Sequence, residues 1–179
     1  AVNDVAVYLP NDDAHAHFTS GNPHLIEILR ERVGAVVIST ILDSGYGFDF
    51  FDDDVLLKNG RVEQDKLVLG AARYRVVVLP GVERMSLETM RKLEEFVRSG
   101  GIVIATRRLP GTVPGMKATA AEQTELHTFV KRLFEGATAK ARFVEDEKQP
   151  LRSKLTAVLT PDMSLTPARA DIGFVHRST

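Results

Sequence analysis

Short, continuously apolar runs alternate with amphipathic stretches about five times along this chain, and that alternation limits its fold more than any other feature. Arg75-Val-Val-Val-Leu79, closed by Pro80-Gly81, is the clearest of the runs. Ile102-Val-Ile-Ala105 follows it, also apolar throughout. Between them Ser86 stands as an N-cap before Leu87, Met90, Leu93, Phe96 and Val97, spaced three to four residues apart, and Gly100-Gly101 ends that helix. A run with no polar alternation suits a strand buried on both faces, as strands of a parallel sheet are. Parallel neighbours need a crossover, and each crossover helix must lie on one face of the sheet. The expected fold is therefore α/β, a three-layer sandwich around a mainly parallel central sheet.

The other elements fit this plan. Asp4-Val-Ala-Val-Tyr-Leu9 reads as the first strand, stopped by Pro10-Asn-Asp-Asp13 and a polar, His-rich loop. Asn22-Pro23 reads as a helix start, with Leu25, Ile26, Ile28, Leu29 and Val33 as its apolar face. A second helical stretch from Val36 to Leu42 ends at Gly45, read as a left-handed C-cap. Phe48 to Phe51 is the next strand, and Gly60 to Leu69 reads as a small hairpin or an excursion, because Asn59-Gly60 is a strong turn pair. Thr119 with Glu122 predicts a capping box before a helix carrying Leu126, Phe129, Val130, Leu133 and Phe134, with Gly136 as its C-cap. Ala141 to Val144 reads as the last core strand. Beyond Asp146 the pattern is less regular, with a helix over Leu151–Leu159 and a strand over Asp171–His176. The chain thus reads as one domain, with a core over about 1–145 and a tail over 146–179.

Composition removes several function classes. The 179 residues contain no cysteine, which excludes disulfides, zinc–thiolate sites and a sulfur nucleophile. The compartment stays open, with periplasm or secretion among the options. Lys plus Arg number 23 against 24 for Asp plus Glu, a balance that offers no electrostatic footprint for nucleic acid. No apolar run approaches the roughly 18 residues of a membrane span. With no Trp and 3 Tyr, stacking platforms for sugars or bases are scarce. G-x-G-x-x-G, G-x-x-x-x-G-K-[ST] and G-x-S-x-G are all absent.

In an open parallel sheet a ligand binds beyond the carboxyl ends of the strands. The loops there supply Asn11, Asp12, Asp13, His15 and His17, then Asp52 and Asp54, then Glu83, then Arg107 and Arg108, and these are the candidate ligand-binding residues. Carboxylate and imidazole suit several divalent ions, but the spacing matches no dedicated metal motif, so no metal ligand is assigned. Asp52 to Asp54 read more readily as caps of the segment after them. Arg107 and Arg108 could clamp a phosphate or carboxylate, although pairing with the acidic loops is the favoured reading. His127 falls near an apolar stripe and reads as a partly buried packing residue.

The segment from Tyr74 to Ala105 resembles the class I glutamine amidotransferase-like domains, including the trimerisation domain of family 42 β-galactosidases. That resemblance implies a flavodoxin-like sandwich. True amidotransferases carry a cysteine at a sharp strand-to-helix turn, followed by a His and a Glu. The matching turn here is Ala105-Thr106-Arg107, where Thr106 has no identifiable base, so glutaminase activity is not expected.

Asp4-Val-Ala-Val-Tyr-Leu-Pro10, Ile41-Leu-Asp-Ser-Gly-Tyr-Gly-Phe-Asp-Phe50 and Asp171-Ile-Gly-Phe-Val-His-Arg177 are similar to segments of glycoside hydrolase family 106, the α-L-rhamnosidases. The resemblance implies inverting hydrolysis by two carboxylates on a separate barrel domain with calcium nearby, and neither carboxylate maps onto this chain. It implies a module excised from a larger chain, with the barrel and a β-rich domain of the same polypeptide as its partners. The expectation is a non-catalytic accessory domain without a cofactor of its own. The alternative is a sugar- or metal-binding module that uses the carboxyl-end loops. A stand-alone hydrolase with a non-cysteine nucleophile ranks below both.

Overall fold

The computed structural model describes residues 3–21, 24–135 and 139–163. Five strands form a parallel sheet: β1 (Val5–Tyr8), β2 (Phe48–Phe51), β6 (Val76–Pro80), β7 (Ile102–Thr106) and β8 (Arg142–Val144). Their spatial order is β2-β1-β6-β7-β8. The register sets Val7 between Phe50 and Val78, Val78 beside Ile104, and Ile104 beside Arg142. β1 and β6 are buried at every position, as their unbroken apolar sequences require.

Helices cover both faces. On one face α5 (Leu87–Arg98) and α6 (Ala120–Val130) bury Met90, Leu93, Phe96, Leu126 and Phe129 against Ala6, Tyr8, Val77, Leu79 and Val103. On the other face α3 (Ala35–Asp43) and α7 (Gln149–Thr156) bury Val37, Ile41, Leu151 and Leu155 against Val5, Val7, Val76, Val78 and Ile104. The core therefore extends past residue 145, because Leu151, Leu155 and Leu159 belong to it. Each fully buried side chain of this size contributes about 1.5–3 kcal/mol.

The helix starts follow their caps. Ser86 Oγ accepts from Thr89 N at 3.1 Å. The Thr119–Glu122 capping box is complete, with Thr119 N donating to Glu122 Oε2 at 2.8 Å and Glu122 N to Thr119 Oγ1 at 3.2 Å. Such a cap stabilises a helix by about 1 kcal/mol. Gly45, at φ +85, follows α3 in the left-handed conformation expected of it.

Several expectations need correction. The polar stretch after β1 is a helix, α1 (Asn11–Ala16), whose first turn carries Asp12 and Asp13. Helix α2 (Leu25–Val33) has His24 at its N-cap position, and Asn22 and Pro23 lie outside the described residues. Its apolar face is narrower than the sequence suggests: Ile28 and Val33 are buried, while Ile26 is 81% exposed. The hairpin read over Gly60–Leu69 is present, but Asn59-Gly60 is not its turn, because Asn59 ends a further helix, α4 (Asp53–Asn59). The reversal falls at Gln64-Asp65, with Gln64 at φ +55, between β3 (Gly60–Glu63) and β4 (Lys66–Leu69). With β5 (Ala72–Tyr74) these strands make a small antiparallel sheet that lays Leu67, Leu69 and Tyr74 on the core. After α6 the backbone widens into a π-helical turn over Lys131–Glu135. Gly136 and the expected strand over 171–176 lie outside the described residues.

Candidate functional site

The chain leaves the sheet centre at β1, runs outward to β2, and returns on the other side of β1 to β6. The connections after β1 and β6 therefore diverge, and such a divergence opens the ligand crevice in sheets of this kind. Here a side chain of the protein spans it. Asp13, in the first turn of α1, is buried, and its carboxylate accepts from Glu83 N at 2.8 Å and Arg84 N at 2.9 Å. The Arg84 guanidinium stands 3.4 Å away. Gly81, at φ +58, turns the chain out of β6 so that these two amides face Asp13. The backbone donors that could hold an anion are already bound to a carboxylate.

Beside them is a group of acids and hydroxyls. Tyr8 Oη donates to Asp53 Oδ2 at 2.5 Å, and the Thr89 hydroxyl donates to the other oxygen of Asp53. Asp52 caps α4 by accepting from Val55 N at 2.9 Å, and Asn11 Nδ2 donates to it at 3.1 Å. The capping role read from the sequence is thus the role Asp52 takes. Burial, reinforced by Asp53, pushes the Tyr8 phenol far above its ordinary pKa. Half-buried Asp12 is also raised, first by burial and then by Asp53, with His15 and Arg84 partly opposing.

The turn after β7 is where the resemblance places a nucleophile. Thr106 is buried, and its hydroxyl donates to Glu147 Oε1 at 2.5 Å. Arg107 holds φ +62, a left-handed conformation rare for a side chain of this size. Its Nε lies 3.0 Å from Glu147 Oε1, and its Nη2 donates to the carbonyls of Arg32 at 2.5 Å and Val33 at 2.9 Å. A Cβ on Gly81 would sit 2.7 Å from that guanidinium, so the close approach needs glycine there. Arg107 ties the last turn of α2 to the ends of β7 and β8. It does not present an open anion clamp. No histidine bonds to Thr106 or Glu147 among the described residues.

The structure gathers most of the candidates. Asn11, Asp12, Asp13, Asp52, Glu83 and Arg108 share this edge, with Arg108 pairing to Glu83 at 3.3 Å. Asp54 points away, pairing with Lys58 at 2.8 Å on the exposed side of α4. His15 is exposed, and His17 Nδ1 lies 2.8 Å from the Asp13 carbonyl. His127 is exposed, not packed: it lies on the outer side of α6, with Nε2 3.2 Å from the Gly111 carbonyl. Among the described residues no group of three His, Cys, Asp or Glu could hold a metal, and no helix is long and apolar enough to cross a membrane. Sequence reading missed Tyr8, Asp53, Thr89 and Glu147. Glu147 carries no local signal, since its burial depends on a contact 41 residues away in sequence.

A family model described as alpha-L-rhamnosidase matches residues 32–179. No curated protein matches the chain.

Proposed function

We propose a function from the premise that this chain belongs to glycoside hydrolase family 106, the alpha-L-rhamnosidase family. It is a non-catalytic module of a rhamnosidase-type hydrolase, residues 1–179 forming one class I glutamine amidotransferase-like domain that packs beside the catalytic barrel and the β-rich domain of the same polypeptide. The strand order β2-β1-β6-β7-β8 supports a flavodoxin-like assignment, since renumbering the parallel strands gives 2-1-3-4-5.

The observation that carries this reading is that three acids at the carboxyl edge, Asp13, Asp53 and Glu147, are already held by neighbouring donors. Inverting glycoside hydrolysis needs an acid and a base about 6.5–9.5 Å apart, flanking a sugar with room for water. Asp13 is buried under two amides, Asp53 between two hydroxyls, and Glu147 between Thr106 and Arg107. Glutaminase chemistry fails separately, because there is no cysteine and the Thr106 hydroxyl is buried against Glu147. The purified 179-residue chain is expected to hydrolyse neither an aryl α-L-rhamnoside nor glutamine. Turnover that co-purifies with the chain through successive columns would overturn the proposal.

A second reading, a sugar- or metal-binding module at the same loops, draws on Asp12, a half-buried carboxylate with no hydrogen-bond partner among the described residues. Calorimetric titration with rhamnose and with calcium tests it. Heat lost in Asp12→Ala would favour it, and a flat titration would remove it.

A further inference from the structure

A second feature lies at the opposite end of the sheet, beside the amino ends of β7 and β8. There the C-terminal half of α5 and the π-helical turn border an open groove of about 460 Å³ lined by Glu94, Val97, Arg98, Arg132, Leu133 and Lys140. The volume falls within the roughly 300–1,000 Å³ of small-molecule sites. Val97 and Leu133, buried residues of the core margin, close the groove from below and expose almost none of their surface to it.

Its rim is cationic. The single carboxylate, Glu94, is shared: one oxygen pairs with Arg132 Nε and the other lies 3.5 Å from Arg98 Nη2. Lys140 is exposed and makes no ion pair among the described residues. Three cations against one carboxylate leave the groove lining with two net positive charges. The Arg132 guanidinium carbon also lies 4.8 Å over the Phe129 ring centroid, a cation–π contact that helps hold it in place. A planar guanidinium held in this way suits the paired oxygens of a carboxylate or phosphate. The wider backbone of the π turn brings Arg132 across to α5, and such turns often occur at functional sites.

We propose that this groove binds a small anion, a carboxylate or phosphate carried on a body of monosaccharide size, with Arg132, Arg98 and Lys140 holding the charged group. The site is independent of the carboxyl edge, so its failure would leave the accessory-domain reading intact.

The test titrates the full-length protein at low salt with D-glucuronate, glucose 6-phosphate and neutral glucose, followed by calorimetry. Saturable binding of at least one anion is expected, with none for glucose, and the anion preferred identifies the charged group. Lys140→Gln and Arg98→Gln alter exposed side chains without touching the core, and each is expected to weaken binding by about tenfold. Arg132→Gln is expected to abolish it, with thermal melting used to check that the variant is folded. Glucose binding as well as the anions, absence of binding by both anions, or full affinity in Lys140→Gln and Arg98→Gln would each overturn the proposal.

Discussion

The Asp13 carboxylate accepts the backbone N–H of Arg84 at 2.9 Å, although the two residues are 71 apart in sequence. This bond joins the segment after β1 to the segment after β6 across the point where the sheet connections diverge. It acts together with the Glu83 amide, so one buried carboxylate satisfies two backbone donors and faces one guanidinium. An anion bound by paired amides at such a point is the usual arrangement for a ligand. Here the chain supplies the anion itself.

Asp13→Ala removes the acceptor and leaves two backbone donors at the crevice without a partner. Hydrogen bonds to a charged group contribute about 1.5–3 kcal/mol, and an orphaned buried donor costs a further amount of similar size. The variant is expected to lose about 2–4 kcal/mol of stability in urea denaturation. Asp13→Asn keeps the shape and one acceptor oxygen, so it should recover part of that loss. A loss below about 0.5 kcal/mol for the alanine variant would show that the staple carries little weight.

Arg107 sets two effects against each other. Its φ of +62 disfavours any side chain, by about 1–2 kcal/mol relative to glycine. Its guanidinium meanwhile neutralises the nearly buried Glu147 and binds the last carbonyls of α2. Arg107→Ala and Arg107→Gly both lose the guanidinium, and both are expected to fall below wild type by about 2 kcal/mol or more. Only the glycine variant also sheds the backbone strain, so it should be about 1 kcal/mol more stable than the alanine variant. The reverse order in denaturant melts would show that the left-handed conformation is not retained.

The parallel sheet was legible in the sequence because strands buried on both faces must be apolar at every position, and Val76–Leu79 and Ile102–Ala105 are. The caps at Ser86 and Thr119 were legible because their partners lie three residues away. α1 was not, because Asn11-Asp-Asp-Ala-His-Ala16 has no apolar face and its helical form depends on Asp13 reaching Glu83 and Arg84. The hairpin over Gly60–Leu69 was legible, but its turn falls at Gln64-Asp65, because the helix capped by Asp52 runs through Asn59 despite the turn chemistry of Asn59-Gly60. At the site, sequence identified the loops and two of their internal uses, Asp52 as a cap and Arg107 and Arg108 pairing with acids, but not the bonds of Asp13, Asp53 and Glu147. Ten polar residues at strand ends look alike whether they await a ligand or bond to each other, and only long-range contacts separate the two cases.

Thr106→Val tests whether the turn after β7 takes part in chemistry. The substitution keeps the shape of the side chain and removes the hydroxyl that donates to Glu147. One such bond is worth about 1 kcal/mol, so a modest fall in melting temperature is expected. On the accessory-domain reading proposed above, a rhamnosidase that carries this domain should keep its kcat and KM for an aryl α-L-rhamnoside in the variant. A fall in kcat with the fold preserved would place Thr106 in the reaction and remove the accessory-domain reading.

Asp12 gives the pH-dependent prediction. Burial and the neighbouring Asp53 raise its pKa above the ordinary 3.8. A carboxyl whose folded pKa exceeds its unfolded value binds more protons in the native state between the two values, so stability falls as pH rises through that interval. The penalty is complete above the folded pKa and absent below the unfolded one. Asp12→Asn removes the titrating charge and keeps the size of the side chain. It should therefore melt above wild type at about pH 7, with the gap narrowing on acidification and closing below about pH 3.8. Thermal melts of both proteins across that range check the sign directly. A variant that melts below wild type at neutral pH, and regains parity in acid, would mean that the Asp12 charge is stabilised in the fold by Arg84, His15 and the first turn of α1, and that the repulsion from Asp53 is the weaker effect.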